Sequence, residues 1–405
     1  MNFLKKSYSH HCLYITYDGL LDPLGKTQVL PYILGIAESG FRFTILSYEK
    51  SDRDPAQLRQ MADFLHSKNI IWISLPFVYG RFQGLLRIFR GASELRKIEI
   101  QDPIAIAHMR AIIPAVIYRL AMIRKPFIYD IRSFLGQWVD VGRLGAKSLS
   151  YKILSWFEDW LIRKASGLVV LDQSGFQYLL DNYKLRSSVK VIPTSTDLRC
   201  SFTSICPIEH DSSTLIRFVF LGGARFPYLP IDAFRFVLSL IDYGFDCTID
   251  FINERDHELI ENACTLSAFP RERFRLFSLS PEHVEERLPL YDCGLVFVAD
   301  GPWLSMSSPT KIGEYLASGL HLVGLKGIYV LDRLATQSSC VDVVERNDNS
   351  ESCCLSTFQD ALKLIERIKS PGRSKQARIL AEKYYDRQKA VSKYIDLYHS
   401  VLSQG

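Results

Sequence analysis

The stretch from Cys293 to Leu325 allows few folds. Cys293-Gly294-Leu295-Val296-Phe297-Val298 is an apolar run of buried-strand type, and His321-Leu322-Val323-Gly324-Leu325 reads as another. Between them, Ser307-Ser308-Pro309-Thr310-Lys311-Ile312-Gly313-Glu314-Tyr315-Leu316-Ala317-Ser318-Gly319 reads as a short helix. Ser308 suits its N-cap, Pro309 its first helical position and Gly319 its stop. Strand, loop, helix, strand is the repeating unit of a parallel sheet. The Ser-rich loop and helix start offer backbone N–H groups and partial positive charge to an anion, typically a phosphate. Lys311 and Glu314 are three apart and share one face. On their own they would be a solvated surface pair. At the carboxyl end of a parallel strand they suit a nucleotide, with charge for a diphosphate and an acceptor for sugar hydroxyls.

The same alternation runs through the chain. Cys12–Tyr17 is a strand, Asp18–Gly25 a loop, Lys26–Ser39 a helix and Phe43–Tyr48 a strand, which makes a βαβ unit without a full GxGxxG. Leu85–Ile98 is a helix in a basic segment carrying Arg81, Arg87, Arg90, Arg96 and Lys97 interleaved with Phe82, Leu85, Leu86 and Phe89. It reads either as a surface for anionic lipid or as an ordinary sheet-covering helix with a basic solvent face. His108 and Arg110 lie at one expected strand end, and Asp130 and Arg132 at another. Charged groups there belong to a site, or else His108 is a structural histidine and Asp130–Arg132 a local pair. The helix Lys147–Arg163 carries Trp156, Phe157 and Trp160, which read as core. Asp197–Ser213 is polar and is the best linker.

After the linker the pattern restarts. Arg217–Leu221 is a strand closed by Gly222-Gly223-Ala224-Arg225, where glycine lets backbone approach a phosphate and Arg225 adds charge. Glu282–Tyr291 reads as a helix, and helices fill Thr357–Lys369 and Arg373–Leu402. A chain of 405 residues is too long for one ordinary core, so two domains are expected. Net charge of +5 fits acidic substrates or an anionic membrane surface but is too weak to imply nucleic acid. Nine cysteines without a CxxC pair, Cys353-Cys354 adjacent among them, fit a reduced cytosolic protein rather than a zinc site. The longest apolar stretch, Ala111–Ile123, is broken by Arg119 and too short to span a bilayer.

Four segments resemble bacterial family 4 glycosyltransferases. Tyr17-Asp18-Gly19-Leu20-Leu21-Asp22-Pro23-Leu24-Gly25-Lys26-Thr27-Gln28-Val29-Leu30-Pro31-Tyr32 is similar to their N-terminal segment, as is Asp130-Ile131-Arg132-Ser133-Phe134. Val191-Ile192-Pro193-Thr194-Ser195-Thr196-Asp197 resembles their interdomain Val-Ile-Pro-Asn-Gly-Val-Asp. Ser308–Gly319 resembles their donor-site helix. The resemblance implies an α/β chain of GT-B architecture: two Rossmann-like domains facing a central cleft, with a C-terminal helix returning to the first. The expected limits are 1–200 for acceptor binding, 201–385 for nucleotide-sugar binding and 386–405 for the returning helix.

It also implies a retaining, metal-independent transfer from a nucleotide-diphosphate sugar to a glycan or lipid-linked oligosaccharide, in surface polysaccharide or lipopolysaccharide assembly. No cofactor is implied beyond the donor. The expected place is the cytoplasm, with peripheral contact at the inner face of the cell membrane. Carried over by position, Glu314 holds ribose hydroxyls. Lys311 and Arg225, with Gly222, Gly223, Ser307, Ser308, Pro309 and Thr310, hold the diphosphate. Gly25, Lys26, His108, Asp130 and Arg132 line the acceptor side.

The chain departs from the family at three places. The position eight before Glu314 is Met306 instead of glutamate. Arg225 alone represents an Arg and Lys pair, and Thr194-Ser195 replaces Asn-Gly. These departures also suit a non-catalytic nucleotide-sugar-binding or scaffold subunit. Another enzyme of the same architecture, an epimerase or phosphorylase, has no specific sign in the sequence.

Overall fold

A computed structural model describes residues 10–78, 81–198, 214–346 and 355–403, with only the backbone of Arg81, Phe82 and Glu282. Most of the expected linker (199–213) and Cys353-Cys354 lie outside the described residues. The chain divides into two units. Met1–Leu135, Leu144–Pro193 and Arg387–Gly405 form unit 1; Gly136–Arg143 and Thr194–Asp386 form unit 2. Elements are numbered in chain order.

Unit 1 begins with β1 (His10–Thr16), α1 (Pro23–Gln28), α2 (Leu30–Ala37), β2 (Phe41–Lys50), α3 (Pro55–Ser67), β3 (Ile70–Phe77) and α4 (Arg81–Gln101). It continues with β4 (Ile106–Arg110), α5 (Ile112–Leu120), β5 (Phe127–Asp130), α7 (Leu149–Lys164), β6 (Gly167–Val170), α8 (Gln173–Asn182) and β7 (Ser188–Val191), and recruits α16 (Arg387–Leu402). The strands pair in parallel in the order β3-β2-β1-β4-β5-β6-β7, so the order reverses between β1 and β4. The core joins Cys12, Phe43, Ile45, Ile128 and Val169 of the strands to Ile33 and Ile36 of α2 and to Tyr394, Leu397, Tyr398 and Val401 of α16.

Two expectations are corrected here. The helix expected over Lys26–Ser39 is broken at Val29, because Pro31 has no N–H with which to continue α1. Trp156, expected in the core, is 68% exposed. Helix α7 carries apolar residues on both sides, and Leu161 and Ile162 are the ones it buries.

Unit 2 contains β8 (Ile216–Leu221), α9 (Pro230–Asp242), β9 (Cys247–Ile252), α10 (His257–Leu266), β10 (Phe274–Phe277), α11 (Pro281–Arg287) and β11 (Cys293–Val296). It then runs through α12 (Lys311–Ala317), β12 (His321–Leu325), α13 (Tyr329–Ala335), β13 (Val341–Val344), α14 (Phe358–Ile368) and α15 (Arg373–Tyr384). Most of α6 (Leu135–Asp140) belongs to it as well. All strands are parallel, in the order β10-β9-β8-β11-β12-β13, with the reversal between β8 and β11.

The helix expected over Glu282–Tyr291 ends at Arg287 and passes into a 3-10 turn, Leu288–Leu290, around Pro289. The span Arg373–Leu402 is two helices. After α15, the carbonyl of Tyr385 accepts the N–H of Thr196 (2.8 Å), which takes it out of helical bonding.

Candidate functional site

In an open parallel sheet, ligands collect outside the carboxyl ends of the strands where the order reverses. In unit 2 that place is the ends of β8 and β11, and the sequence put its donor-site residues there. Gly222 follows β8 with φ +84, a conformation that side chains rarely adopt, and a Cβ added there would meet nothing within 4 Å. Its carbonyl accepts from Asn253 Nδ2 (2.8 Å) and its N–H donates to Ile252 (2.9 Å), so the turn is fixed from β9.

Tyr315 fastens α12 against the same strand. Its hydroxyl accepts the Leu221 N–H (2.7 Å) and donates to Val219 O (3.3 Å). Gly294 makes room for it, since a Cβ there would fall 2.4 Å from the ring.

That anchoring carries Lys311 under the glycine turn. Its Nζ lies 4.2 Å from the ring centre of Phe220 and 4.1 Å from that of Tyr228, and Gly223 rests on the Tyr228 ring. The side chain is buried and Nζ has no hydrogen-bond partner. Burial pushes its pKa down to about 7, with Glu314 opposing the fall.

The helix starts later than expected. Thr310 occupies the N-cap position, without a side-chain capping bond. Ser308, expected as the cap, has its carbonyl on Thr194 Oγ1 (3.3 Å) and its own Oγ buried without a partner. Pro309 is buried, Ser307 and Thr310 are half-buried, and Glu314 is half-buried one turn beyond Lys311. Buried donors without partners cost folding free energy of about 1–3 kcal/mol each, which a ligand occupying them would return.

Arg225 is placed differently. It is 78% exposed and donates to Asp256 (2.6 Å), which also accepts the Ala224 N–H. Both residues line a cavity of about 450 Å³ with Ile231, Leu259 and Leu266 of α9 and α10. Met306 ends a 3-10 turn, Leu304–Met306. That turn is capped from a distance: Asp140 Oδ2 accepts the N–H groups of Trp303 (2.8 Å) and Leu304 (2.9 Å). Gly136 lies so close to Trp303 that a Cβ would fall 2.1 Å from its ring. Nothing in the sequence pattern points to this cap, whose two sides lie far apart along the chain.

In unit 1 a buried polar cluster gathers at β4 and the end of β5, with His108 inside β4 where a strand end was expected. His108 Nε2 donates to Asp130 Oδ2 (3.3 Å), and His108 Nδ1 accepts from Tyr398 Oη (2.8 Å). This tautomer follows from an ionised Asp130. Burial lowers the His108 pKa against the pull of Asp130, so the ring is neutral. Asp130 Oδ2 also accepts from Arg132 Nη2 (2.7 Å) and Tyr394 Oη (3.0 Å). Although burial opposes it, Arg132, His108 and Arg110 hold the Asp130 carboxyl well below the usual range. His108, Asp130 and Arg132 are thus brought together, with two tyrosines of α16 that the sequence did not point to. Arg132 Nε and Nη1 are buried without partners.

Gly25 and Lys26 lie on α1, with Gly25 buried and Lys26 exposed. Gly25 touches the preceding loop so closely that a Cβ would fall 1.9 Å from Gly19 O. The loop is held by Glu49, a buried carboxylate of β2 that accepts from Leu20 N (2.6 Å), Leu21 N (3.2 Å) and Ser47 Oγ (2.8 Å). A carboxylate inside the apolar run Phe41–Lys50 was the available signal.

No protein-family model matches the sequence, and no curated protein does. Solved structures match over nearly the whole chain. A sucrose-phosphate synthase from Thermosynechococcus elongatus aligns with TM-score 0.67 at 12% identity, covering 98% of this chain and 100% of its own. A glycosyltransferase from Rickettsia africae aligns with TM-score 0.65 at 12% identity, covering 98% and 99%. The fold is GT-B. A protein from Listeria monocytogenes assigned as a UDP-N-acetylglucosamine 2-epimerase shares it too, with TM-score 0.59 at 11% identity over 98% and 97%. The GT-B fold therefore does not by itself select a reaction. Among the described residues no cluster of three or more His, Cys, Asp or Glu side chains is arranged to hold a metal ion. None of their helices is long and apolar enough to cross a membrane.

Proposed function

We propose that this chain is a retaining glycosyltransferase. It uses a nucleotide-diphosphate sugar to extend a glycan or lipid-linked acceptor in surface polysaccharide or lipopolysaccharide assembly, at the cytoplasmic side of the membrane. One observation carries the reading. At the β8–β11 reversal, Lys311 Nζ and Ser308 Oγ are buried without partners beside a glycine turn. Polar groups left in that condition suit a ligand rich in acceptor oxygens, and a diphosphate is one.

In this reading the diphosphate lies against the Gly222-Gly223 turn and the start of α12. Lys311 meets the charge that develops on the leaving phosphate, a preorganised electrostatic contribution. Glu314, one turn on, accepts from the ribose hydroxyls. The family resemblance supports retention without an essential metal. It also supports the role of unit 1, with its loop at Gly25 and its Arg132 cluster, in holding the acceptor.

The test is a thermal-shift screen with UDP, GDP, ADP and CMP and their sugar conjugates, since a ligand for the folded state raises the melting temperature. One nucleoside diphosphate should raise it, and Lys311→Ala and Glu314→Ala should each abolish the shift. No shift with any nucleotide would sink the reading. A second reading is favoured by Met306: where the family has a carboxylate, this chain has a thioether. A subunit that binds nucleotide sugar without turnover would show the thermal shift and form no product. Product formed by the isolated chain rules it out.

A further inference from the structure

Helix α4 presents an unusual outer face. Its inner side is settled: Gly91, Ala92, Leu95 and Ile98 are buried, and a Cβ on Gly91 would fall 2.2 Å from Tyr48 Oη and 2.9 Å from Ile117. The side chains that remain outside are therefore outside by construction. Leu85, Leu86 and Phe89 are 59%, 60% and 60% exposed, and Ile100 is 76% exposed. Arg90, Arg96 and Lys97 are exposed on the same helix. Its two carboxylates are half-buried and engaged. Glu94 binds Lys97 (2.9 Å); Glu99 accepts the Ile104 N–H (2.9 Å) and pairs with Lys125 (3.4 Å). The face thus combines large apolar side chains with cations and carries no fully exposed carboxylate.

Water is a poor neighbour for three adjacent large apolar side chains. A protein partner would be expected to supply acidic side chains at fixed points. An anionic bilayer supplies negative charge everywhere and an apolar layer just beneath it, which matches cations bordering Leu85, Leu86 and Phe89. We propose that this face of α4 docks the protein on an anionic bilayer, with Leu85, Leu86 and Phe89 at the headgroup–acyl boundary and Arg90, Arg96 and Lys97 on the headgroups. The proposal deepens the reading above, in which the acceptor is lipid-linked, but its test does not pass through transfer activity.

The test is co-sedimentation of the full chain with phosphatidylcholine vesicles, with and without phosphatidylglycerol, at about 50 mM and about 500 mM salt. Binding should need phosphatidylglycerol and fall with salt. The double variant Leu85→Ser/Phe89→Ser should lower partitioning at least tenfold at an unchanged melting temperature. Arg90→Glu/Arg96→Glu should remove the preference for anionic lipid.

Helix α7 offers a control, because Leu149, Ile153 and Trp156 form an exposed apolar stripe on it. Leu149→Ser/Trp156→Ser should leave partitioning intact. Failure to bind anionic vesicles, or loss of binding only in the α7 variant, would overturn the assignment to α4. So would a concentration-dependent dimer, seen by light scattering, that the α4 serine variant abolishes, since the face would then be a self-association surface. Vesicle binding by a protein that shifts with no nucleotide would leave the docking face standing and remove the glycosyltransferase reading.

Discussion

Lys311 holds an amine where burial opposes its charge, and this gives two predictions of opposite sense. With its pKa lowered to about 7, it is largely neutral in the free protein above that pH. A bound diphosphate favours the ammonium form, so nucleotide binding takes up a proton. Affinity should be highest below pH 7 and fall by up to tenfold per pH unit above it, with the uptake read by calorimetry in buffers of different ionisation heat. For stability the sign is reversed. The unfolded chain keeps this lysine charged up to its ordinary range, so the folded state gains stability as pH rises from about 7 toward that range. Lys311→Met should abolish nucleotide binding, raise the melting temperature at neutral pH, and flatten that slope.

Glu158 is the complementary case. Burial raises its pKa to about 7 despite hydrogen bonds from the Leu135 N–H (3.1 Å and 3.2 Å) and the Tyr129 hydroxyl (3.3 Å). Its contribution is fully present below the ordinary carboxylate range and is lost as pH rises through about 7. Unfolding free energies from urea titration should fall by roughly 3 kcal/mol as pH rises from about 4.5 to about 7, and Glu158→Gln should remove the fall. Among single residues, the stop at Gly319 was legible: its φ is +78, where a side chain is strained. Ser308 as the cap was not, because the helix begins two residues later than its Ser-Pro pattern suggests. Lys311 was legible as a cation but not as a buried one; its place between Phe220 and Tyr228 depends on partners far away in sequence.

Among the elements, the loop from β1 to α1 shows what pattern reading leaves out. Its alternation was visible, and its anchor was not. Glu49 takes two consecutive backbone N–H groups of that loop, and Asp22 at its far end binds Lys50 (2.6 Å) and also Arg53. Both holds depend on β1 and β2 lying side by side, a pairing that a single sequence does not print. Glu49→Gln should loosen the loop by roughly 1–3 kcal/mol. Hydrogen exchange at Leu20 and Leu21 should speed accordingly while the amides of β4 keep their protection. Helix α13 was missed because seven residues with few breakers around them give little period to read. The break between α15 and α16 is invisible to pattern alone, since neither Gly nor Pro marks it and the Thr196 N–H beside it comes from far away in sequence; the limit at 386 that the family resemblance implied falls on it.

At the scale of the molecule, the two α/β halves and the return of the last helix were legible, since strand-helix alternation runs through both halves. The transfer of Gly136–Arg143 to unit 2 was not, because its contacts to Trp303 and Leu304 span over a hundred residues. Helix α16 completes unit 1: Ala390, Tyr394, Leu397, Tyr398 and Val401 are buried there, and its tyrosines satisfy His108 and Asp130. Tyr394→Phe should cost unit 1 roughly 1–2 kcal/mol and leave unit 2 unchanged, as read by hydrogen exchange resolved by unit. A chain ended at Asp386 should lose protection throughout unit 1 while the amides of β8 and β11 remain protected.

The same helix sets a timetable. As the chain leaves the ribosome, the strands of unit 1 emerge first, yet the side chains that close their core follow all of residues 194–386. The half made first is therefore the half finished last. While residues 194–386 are made, the part of its sheet that α16 will cover stays open, and chaperones would have longest access to it there.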